Sequence, residues 1–235
     1  MPMFEHPERL IQALQLLGAH REEIQNFYAS ILHLQVQADG IDKLKEAFRA
    51  SVSERRGASF NRGDGAVQAF DNSIQNLVQQ VNAEIENNPE RAHRLLFESI
   101  VMLPNIDQKI AAMFIKFLVV YLNEWPSMLP YLYVPIDRVV LKILGEKLQV
   151  YIGPWNQSPS VKNPSGRLYV RRNGMSAQYT RFITFQNELG QIAQNAGVDR
   201  ILADELWFIG YIFCKEYPLC NRCWVRGVCQ GSPFN

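Results

Sequence analysis

Apolar residues recur along most of this chain at spacings of three and four, the period of a helix that turns one face inward. In "PERLIQALQLLGAHREEIQNFYASILHLQ", Leu10, Leu14 and Leu17 are followed by Ile24, Phe27 and Ile31. Val67, Phe70, Ile74, Leu77 and Val81 keep the same period through "AVQAFDNSIQNLVQQVNAEIEN". In "NNPERAHRLLFESIVML", Asn88 and Pro89 predict a break and a new helix start, because proline is pre-set for the first helical turn. The most apolar stretch, "IAAMFIKFLVVYL", is too short to span a bilayer and contains Lys116, so it predicts a buried helix. Strand-like alternation is scarce. The predicted class is all-α.

Two stretches depart from this pattern. "SVSERRGASFNRGDG" is polar and rich in glycine, which predicts a loop. "YIGPWNQSPSVKNPSGRLYVRRNGMSAQYTRFITF" opens with the Pro, Ser, Asn and Gly of a long ordered loop or domain junction. Later in it, "RLYVRRNGMSAQY" places Asn173-Gly174 where a type I′ turn would close a β-hairpin.

At 47% hydrophobic and 20% charged residues, the composition is that of a globular protein rather than a disordered one. The opening "MPMFEHPERL" lacks a basic segment followed by an apolar run, so an intracellular, soluble protein without membrane contact is expected. A formal charge of +1 points to no polyanionic partner, but the charge is unevenly spread. Residues 162–235 hold nine basic and five acidic groups. That balance suits a phosphate-facing surface or an ordinary solvated one. His6, His20, His33 and His93 are scattered without ligand spacing and are expected as surface or core histidines.

All four cysteines fall in "CKEYPLCNRCWVRGVC", as Cys214-x5-Cys220-x2-Cys223-x5-Cys229. An intracellular chain keeps its thiols reduced, and a two-residue gap makes a poor bridge, which argues against disulfides. Structural zinc stays open, although all-cysteine zinc sites usually present two short knuckles and only one is here. A [4Fe–4S] cluster takes four thiolates from a compact loop, which fits one C-x2-C flanked by wider gaps, and is the preferred cofactor. Ligation would also supply folding free energy that so short a tail cannot gain from burial. Arg222 and Arg226, between the ligands, would then contact phosphate or offset the thiolate charge.

The segment "LWFIGYIFCKEYPLCNRCWVRGVC" resembles the end of the endonuclease III and adenine glycosylase family of base-excision DNA repair enzymes. There, a Leu-x3-Gly-x3-Cys helix leads into a [4Fe–4S] loop with Pro two before the second cysteine. Here these are Leu206, Gly210, Cys214, Pro218 and Cys220, with a first gap of five residues where the family normally has six. "MLPNIDQKIAAMFIKFL" resembles the family's helix-hairpin-helix, with Leu103, Pro104, Lys109 and Ala111 in register and Asn105 and Asp107 replacing two glycines. "VPIDRVVLKIL" resembles the segment that carries the family's aspartate, with Ile136-Asp137 in register.

The resemblance implies two α-helical lobes. Residues 26–133 would form a helical barrel with the helix-hairpin-helix; 1–25 plus 134–235 would form a second lobe with the cluster loop at 214–229. It implies a monomer with double-stranded DNA between the lobes and the target base flipped out. Asn105, Ile106 and Asp107 in the hairpin, and Arg222 and Arg226 in the loop, are the implied DNA contacts. Lys109 is the implied nucleophile and Asp137 the implied carboxylate. Cleaving an N-glycosidic bond builds positive charge on the sugar, which a fixed carboxylate stabilises. An amine can attack C1′ and form a Schiff base, allowing strand cleavage as well.

Each residue has a plainer reading too. A lysine in the first turn of a helix is commonly solvated, and an Asp after Pro-Ile commonly caps a helix. Trp125, Tyr131 and Tyr133 read as packing aromatics or as the lining of a base pocket. The expectation is a DNA glycosylase, with or without lyase activity, acting on a damaged or mismatched base. The alternatives are an inactive iron–sulfur DNA-binding protein of the same fold, and a helical zinc protein unrelated to DNA.

Overall fold

The computed structural model describes residues 4–24, 26, 38–53, 63–104, 106–136, 138–152, 177–214 and 220–229. In chain order its helices are α1 (Glu8–Ala19), α2 (Gly40–Ser53), α3 (Gly63–Ile85), α4 (Pro89–Val101), α5 (Gln108–Lys116), α6 (Arg138–Lys142), α7 (Ala177–Asn195) and α8 (Glu205–Phe208). Among the described residues, the only strands are β1 (Phe4–Glu5) and β2 (Tyr151–Ile152), so the molecule is mostly helical. No helix among them is long and apolar enough to cross a membrane. They divide into two compact units. One holds the described residues up to 26 and those from 136 onward; the other holds the described residues from 38 to 135.

The 38–135 unit is built from α2 to α5 around three rings. Phe48 stacks on Phe70 at 4.1 Å between centroids, and Phe114 meets both edge-on at 5.2 and 5.5 Å. Phe70, Ile74, Leu77 and Val81 bury one face of α3, as the three-and-four spacing predicts. Asn88 ends the preceding turn and caps α4, its side chain accepting from the Arg91 N–H at 2.9 Å with Pro89 in the first turn. The apolar run from 110 to 121 is helical and largely buried, with Lys116 only 6% exposed inside it. After Lys116 the helix widens into a π-turn over Phe117–Tyr121, closed by the Leu122 N–H on the Phe117 carbonyl at 3.1 Å. Lys43 of α2 holds this end, donating to the Leu122 carbonyl at 3.2 Å and to Glu124 at 2.7 Å.

In the other unit, α1 buries Leu10, Ala13, Leu14 and Leu17, and it packs on α7 and on a 3-10 turn at Arg200–Asp204. Gly18 permits close approach there: a methyl on it would lie 2.7 Å from Val198 Cγ1. The apolar period that begins in α1 does not continue as one helix. It breaks at His20, whose N–H turns back to the Leu17 carbonyl, and helix resumes with Ile24 buried. Phe27 and Ile31 lie outside the described residues. β1 pairs antiparallel with β2, Phe4 opposite Ile152, and the Phe4 ring lies 4.9 Å from Phe185 of α7. Helices α6 and α8 both end as α5 does, in π-turns over Ile143–Lys147 and Ile209–Phe213.

Two loop readings need correction. Residues 51–53 of the predicted glycine-rich loop belong to α2 and 63–65 to α3; 54–62 lie outside the described residues. The predicted hairpin over 167–179 lies outside them up to 176, and its last three residues are helix, because α7 starts at Ala177. Phe182, Phe185, Leu189 and Ile192, all buried, set a helical period that good helix formers at 177 and 178 extend backwards.

Candidate metal centre and catalytic residues

The π-turn after α8 delivers Cys214, whose N–H donates to the Ile209 carbonyl at 3.2 Å. From Cys220 to Cys229 the chain folds as successive tight turns, with Cys223 N–H on the Cys220 carbonyl, Arg226 N–H on Cys223 and Val228 N–H on Val225. These turns sort the side chains. Cys223, Val225 and Cys229 are buried, while Asn221, Arg222 and Arg226 are exposed. Trp224 fixes the loop to the body, its ring edge-on to Phe213 at 5.1 Å and tilted against His20 at 6.3 Å. All four cysteines are free thiols.

The four thiols are near enough to act on one another. Burial pushes the Cys223 thiol up to about 12; a Val225 backbone hydrogen bond opposes this, and Cys214, Cys229 and Cys220 add to it. Burial also raises Cys214, with Cys229 adding to the rise and Lys147 opposing it. Cys229 is raised by burial and, again, opposed by Lys147. Among the described residues no three His, Cys, Asp or Glu side chains are grouped so as to hold a single metal ion. The donor set nonetheless suits a thiolate-bound cluster: four cysteine sulfurs within sixteen positions, with Cys214, Cys223 and Cys229 made costly to ionise by burial until a cation arrives.

The sign of these shifts fixes a pH dependence. An ordinary thiol ionises near pH 9, so between there and about pH 12 the unfolded chain loses a proton that folded Cys223 keeps. Stability of the metal-free protein is therefore full below about pH 9 and declines as pH rises through that window. Melting temperatures at about pH 8 and about pH 10.5 should fall more steeply for metal-free wild type than for metal-free Cys223→Ala.

The helix that reaches Cys214 is seated on the segment that follows Asp137. A methyl on Gly210 would lie 2.4 Å from Val139 Cγ1 and 3.0 Å from Ile143 Cγ1, so α6 and the π-turn after α8 meet at that glycine. Val139, Ile143 and Lys147 recur at four-residue intervals on one strip; Leu206, Gly210 and Cys214 do so on the other. Asp137 itself lies outside the described residues. Ile136 before it is fully buried, and α6 begins immediately after it at Arg138.

Lys109 stands in the first turn of α5, partly buried. Helix α4 leads into it through a short connection in which the Ile106 N–H donates to the Leu103 carbonyl at 3.3 Å. Asp107 caps α5, its Oδ1 accepting from the Ile110 N–H at 2.9 Å, and is 9% exposed. Its carboxylate therefore faces its own helix, where the N-terminal dipole favours it. Ile106 is buried, and Asn105 lies outside the described residues.

The remaining candidates separate as follows. Arg222 and Arg226 point to solvent, and Arg226 also donates to the Asn221 carbonyl at 2.7 Å. Tyr133 is core, edge-on to His93 at 4.5 Å and to Phe97 at 4.8 Å. Trp125 is partly buried with a left-handed backbone (φ 49°), and its indole N–H donates to Asn82 at 2.8 Å. Of the histidines, His93 is a buried core residue and His20 an exposed neighbour of Glu23. An open depression lined by Gln15, Gly18, Arg21, Val198 and Asp199 contains none of the sequence-predicted site residues.

Sequence reasoning missed Lys147 and Lys142, the cations felt by the thiols. No protein-family model, no curated protein and no solved structure matches this chain.

Proposed function

We propose that this chain is a DNA glycosylase of the base-excision type, acting as a monomer on a damaged or mismatched base in double-stranded DNA. Lys109 and Asp137 are its reacting side chains, and Cys214, Cys220, Cys223 and Cys229 hold a [4Fe–4S] cluster. The observation that carries this reading is the contact at Gly210, which joins the helix following Asp137 to the helix that delivers Cys214. Two of the three motifs behind the glycosylase resemblance are thereby parts of one packed assembly.

When bound, the cluster supplies a rigid, folded loop at the end of α8. Arg222 and Arg226, exposed on that loop, would bind backbone phosphate without reading sequence. Asp137, ionised, would stabilise positive charge growing on the sugar as the glycosidic bond stretches. Lys109, as a neutral amine, would form the C1′–N bond while the base leaves with the electrons of the broken bond. The surplus amine proton would pass to the departing base.

A panel of duplexes, each with one altered or mismatched base, tests the reading by base release at enzyme excess. At least one duplex should lose its base, and Asp137→Asn should slow that release about 10²- to 10³-fold. Absence of release from every duplex would overturn it. A second reading is favoured by the hairpin, where the Ile106 amide and the Asp107 carboxylate are both committed to internal bonds. It is an iron–sulfur protein of the same build that binds DNA and removes no base; tight duplex binding without release is its signature.

A further inference from the structure

The open depression beside α1 holds charged and amide groups that the glycosylase chemistry does not use. It encloses about 640 Å³ and lies where α1 and α7 both end. Two glycines shape it. Gly18 admits Val198, which a methyl there would meet at 2.7 Å. Gly197, left-handed at φ 74°, closes α7 by donating to the Gln194 carbonyl at 3.0 Å, and the Val198 N–H turns back to the Ala193 carbonyl at 3.0 Å. Buried Ala196 and Leu202, together with Val198, make up the apolar part of the lining.

Arg21 and Asp199 supply the charged part, Nη1 lying 2.9 Å from Oδ2, and both side chains are partly exposed. One such contact leaves capacity on each partner, since a guanidinium carries five N–H donors and a carboxylate about four acceptor sites. Asp199 precedes the 3-10 turn at Arg200–Asp204, yet its side chain does not cap that turn. Among the described residues nothing but Arg21 engages the Asp199 carboxylate. No hydrogen bond or ion pair engages the amides of Gln15 and Gln194 in the same lining.

We propose that this depression binds a free nucleoside, without phosphate, through the hydrogen-bonding edge of its base. A nucleobase edge sets a donor beside an acceptor, and Arg21 beside Asp199 offers the complementary acceptor and donor. The apolar lining suits the flat face of the ring, which a sugar alone, with hydroxyls on both faces, would not cover. The volume is that of an ordinary small-molecule site. Charge argues against a phosphate. Asp199 neutralises Arg21, and the ends of α1 and α7 carry the partial negative charge of helix C-termini. Nothing in this depends on Lys109, Asp137 or a bound metal.

The test is an NMR titration of the full chain that follows the amide signals of Gly18 and Gly197. The probes are guanosine and adenosine, with 1-methylguanosine and the 6-dimethylamino analogue of adenosine as forms whose edge is blocked. Ribose and the two 5′-monophosphates are added separately. At least one nucleoside should move both signals saturably, and its blocked form should bind about tenfold more weakly. Its monophosphate should also bind more weakly, and ribose should move neither signal. Asp199→Asn and Arg21→Gln should each weaken the nucleoside about tenfold, and both should fold, because a partly exposed ion pair contributes little to stability. Failure of both nucleosides to move the signals overturns the proposal. Equal binding of the blocked form overturns it too, since the ring face alone would then be held. A monophosphate that binds more tightly than its nucleoside, or ribose that binds as well, assigns the depression to a different ligand. Wild-type affinity in both variants removes Arg21 and Asp199 from the site and the proposal with them.

Discussion

Gly210→Ala is expected to destabilise the protein by about 2 kcal/mol, although alanine is the better helix former by about 1 kcal/mol. The reason is distance. The new methyl would stand 2.4 Å from Val139 Cγ1 and 3.0 Å from Ile143 Cγ1, far inside van der Waals contact. Both obstructing residues are β-branched and held to one rotamer in a helix, so neither can swing aside cheaply. The helices must part instead. Cys214 lies one turn beyond the contact, so separation should also loosen metal. Val139→Ala in the same chain makes room for the methyl and should restore most of the loss, giving a coupling of about 1 kcal/mol or more in a double-mutant cycle. Urea unfolding of the four proteins measures it; simple additivity would mean that α6 and α8 do not meet as described.

The second large effect belongs to Lys109. If it is the nucleophile, Lys109→Ala should remove essentially all strand incision while leaving duplex binding within a few-fold of wild type. Lys109→Arg is the sharper variant. Arginine keeps the positive charge and a similar reach from the first turn of α5, but it does not deprotonate at usable pH and cannot form an imine. A solvated lysine that only attracts phosphate would be replaced well by arginine. A nucleophile would not. Incision by Lys109→Arg at wild-type rate would therefore assign Lys109 to phosphate contact.

The helices were legible where apolar spacing was regular and a breaker stood beside it. Asn88-Pro89 marks the start of α4, and the buried run of α5 shows as thirteen apolar-rich positions around one lysine. Helix α2 was harder, because Leu44, Ala47 and Phe48 are its buried residues among many charges. The hairpin reading at 167–179 failed at its end for a related reason: Asn-Gly is a strong local turn signal, but Ala177 onward joins a helix whose anchors, Phe182 and Phe185, lie later in the chain. Cysteine spacing predicts a shared site; in the structure, burial raises the Cys214 and Cys223 thiols and the other cysteines add to the rise. Asp107, an implied DNA contact on the resemblance, turns its carboxylate to cap the next helix through a 2.9 Å bond from the Ile110 N–H, a role that depends on the fold of the turn before it. Lys147 was not legible, since nothing local connects a lysine at the end of one helix to a cysteine in a loop far downstream.

The central claim, that an amine of this chain reacts with the sugar of a damaged nucleotide, is tested most directly by borohydride reduction during turnover. The protein, incubated with a duplex from which it releases a base, is reduced, digested and mapped by mass spectrometry. The account predicts one covalent DNA–peptide adduct, on the peptide that contains Lys109, and none from Lys109→Ala. An adduct on a different amine, or base release with none at all, would contradict the assignment of Lys109 as nucleophile.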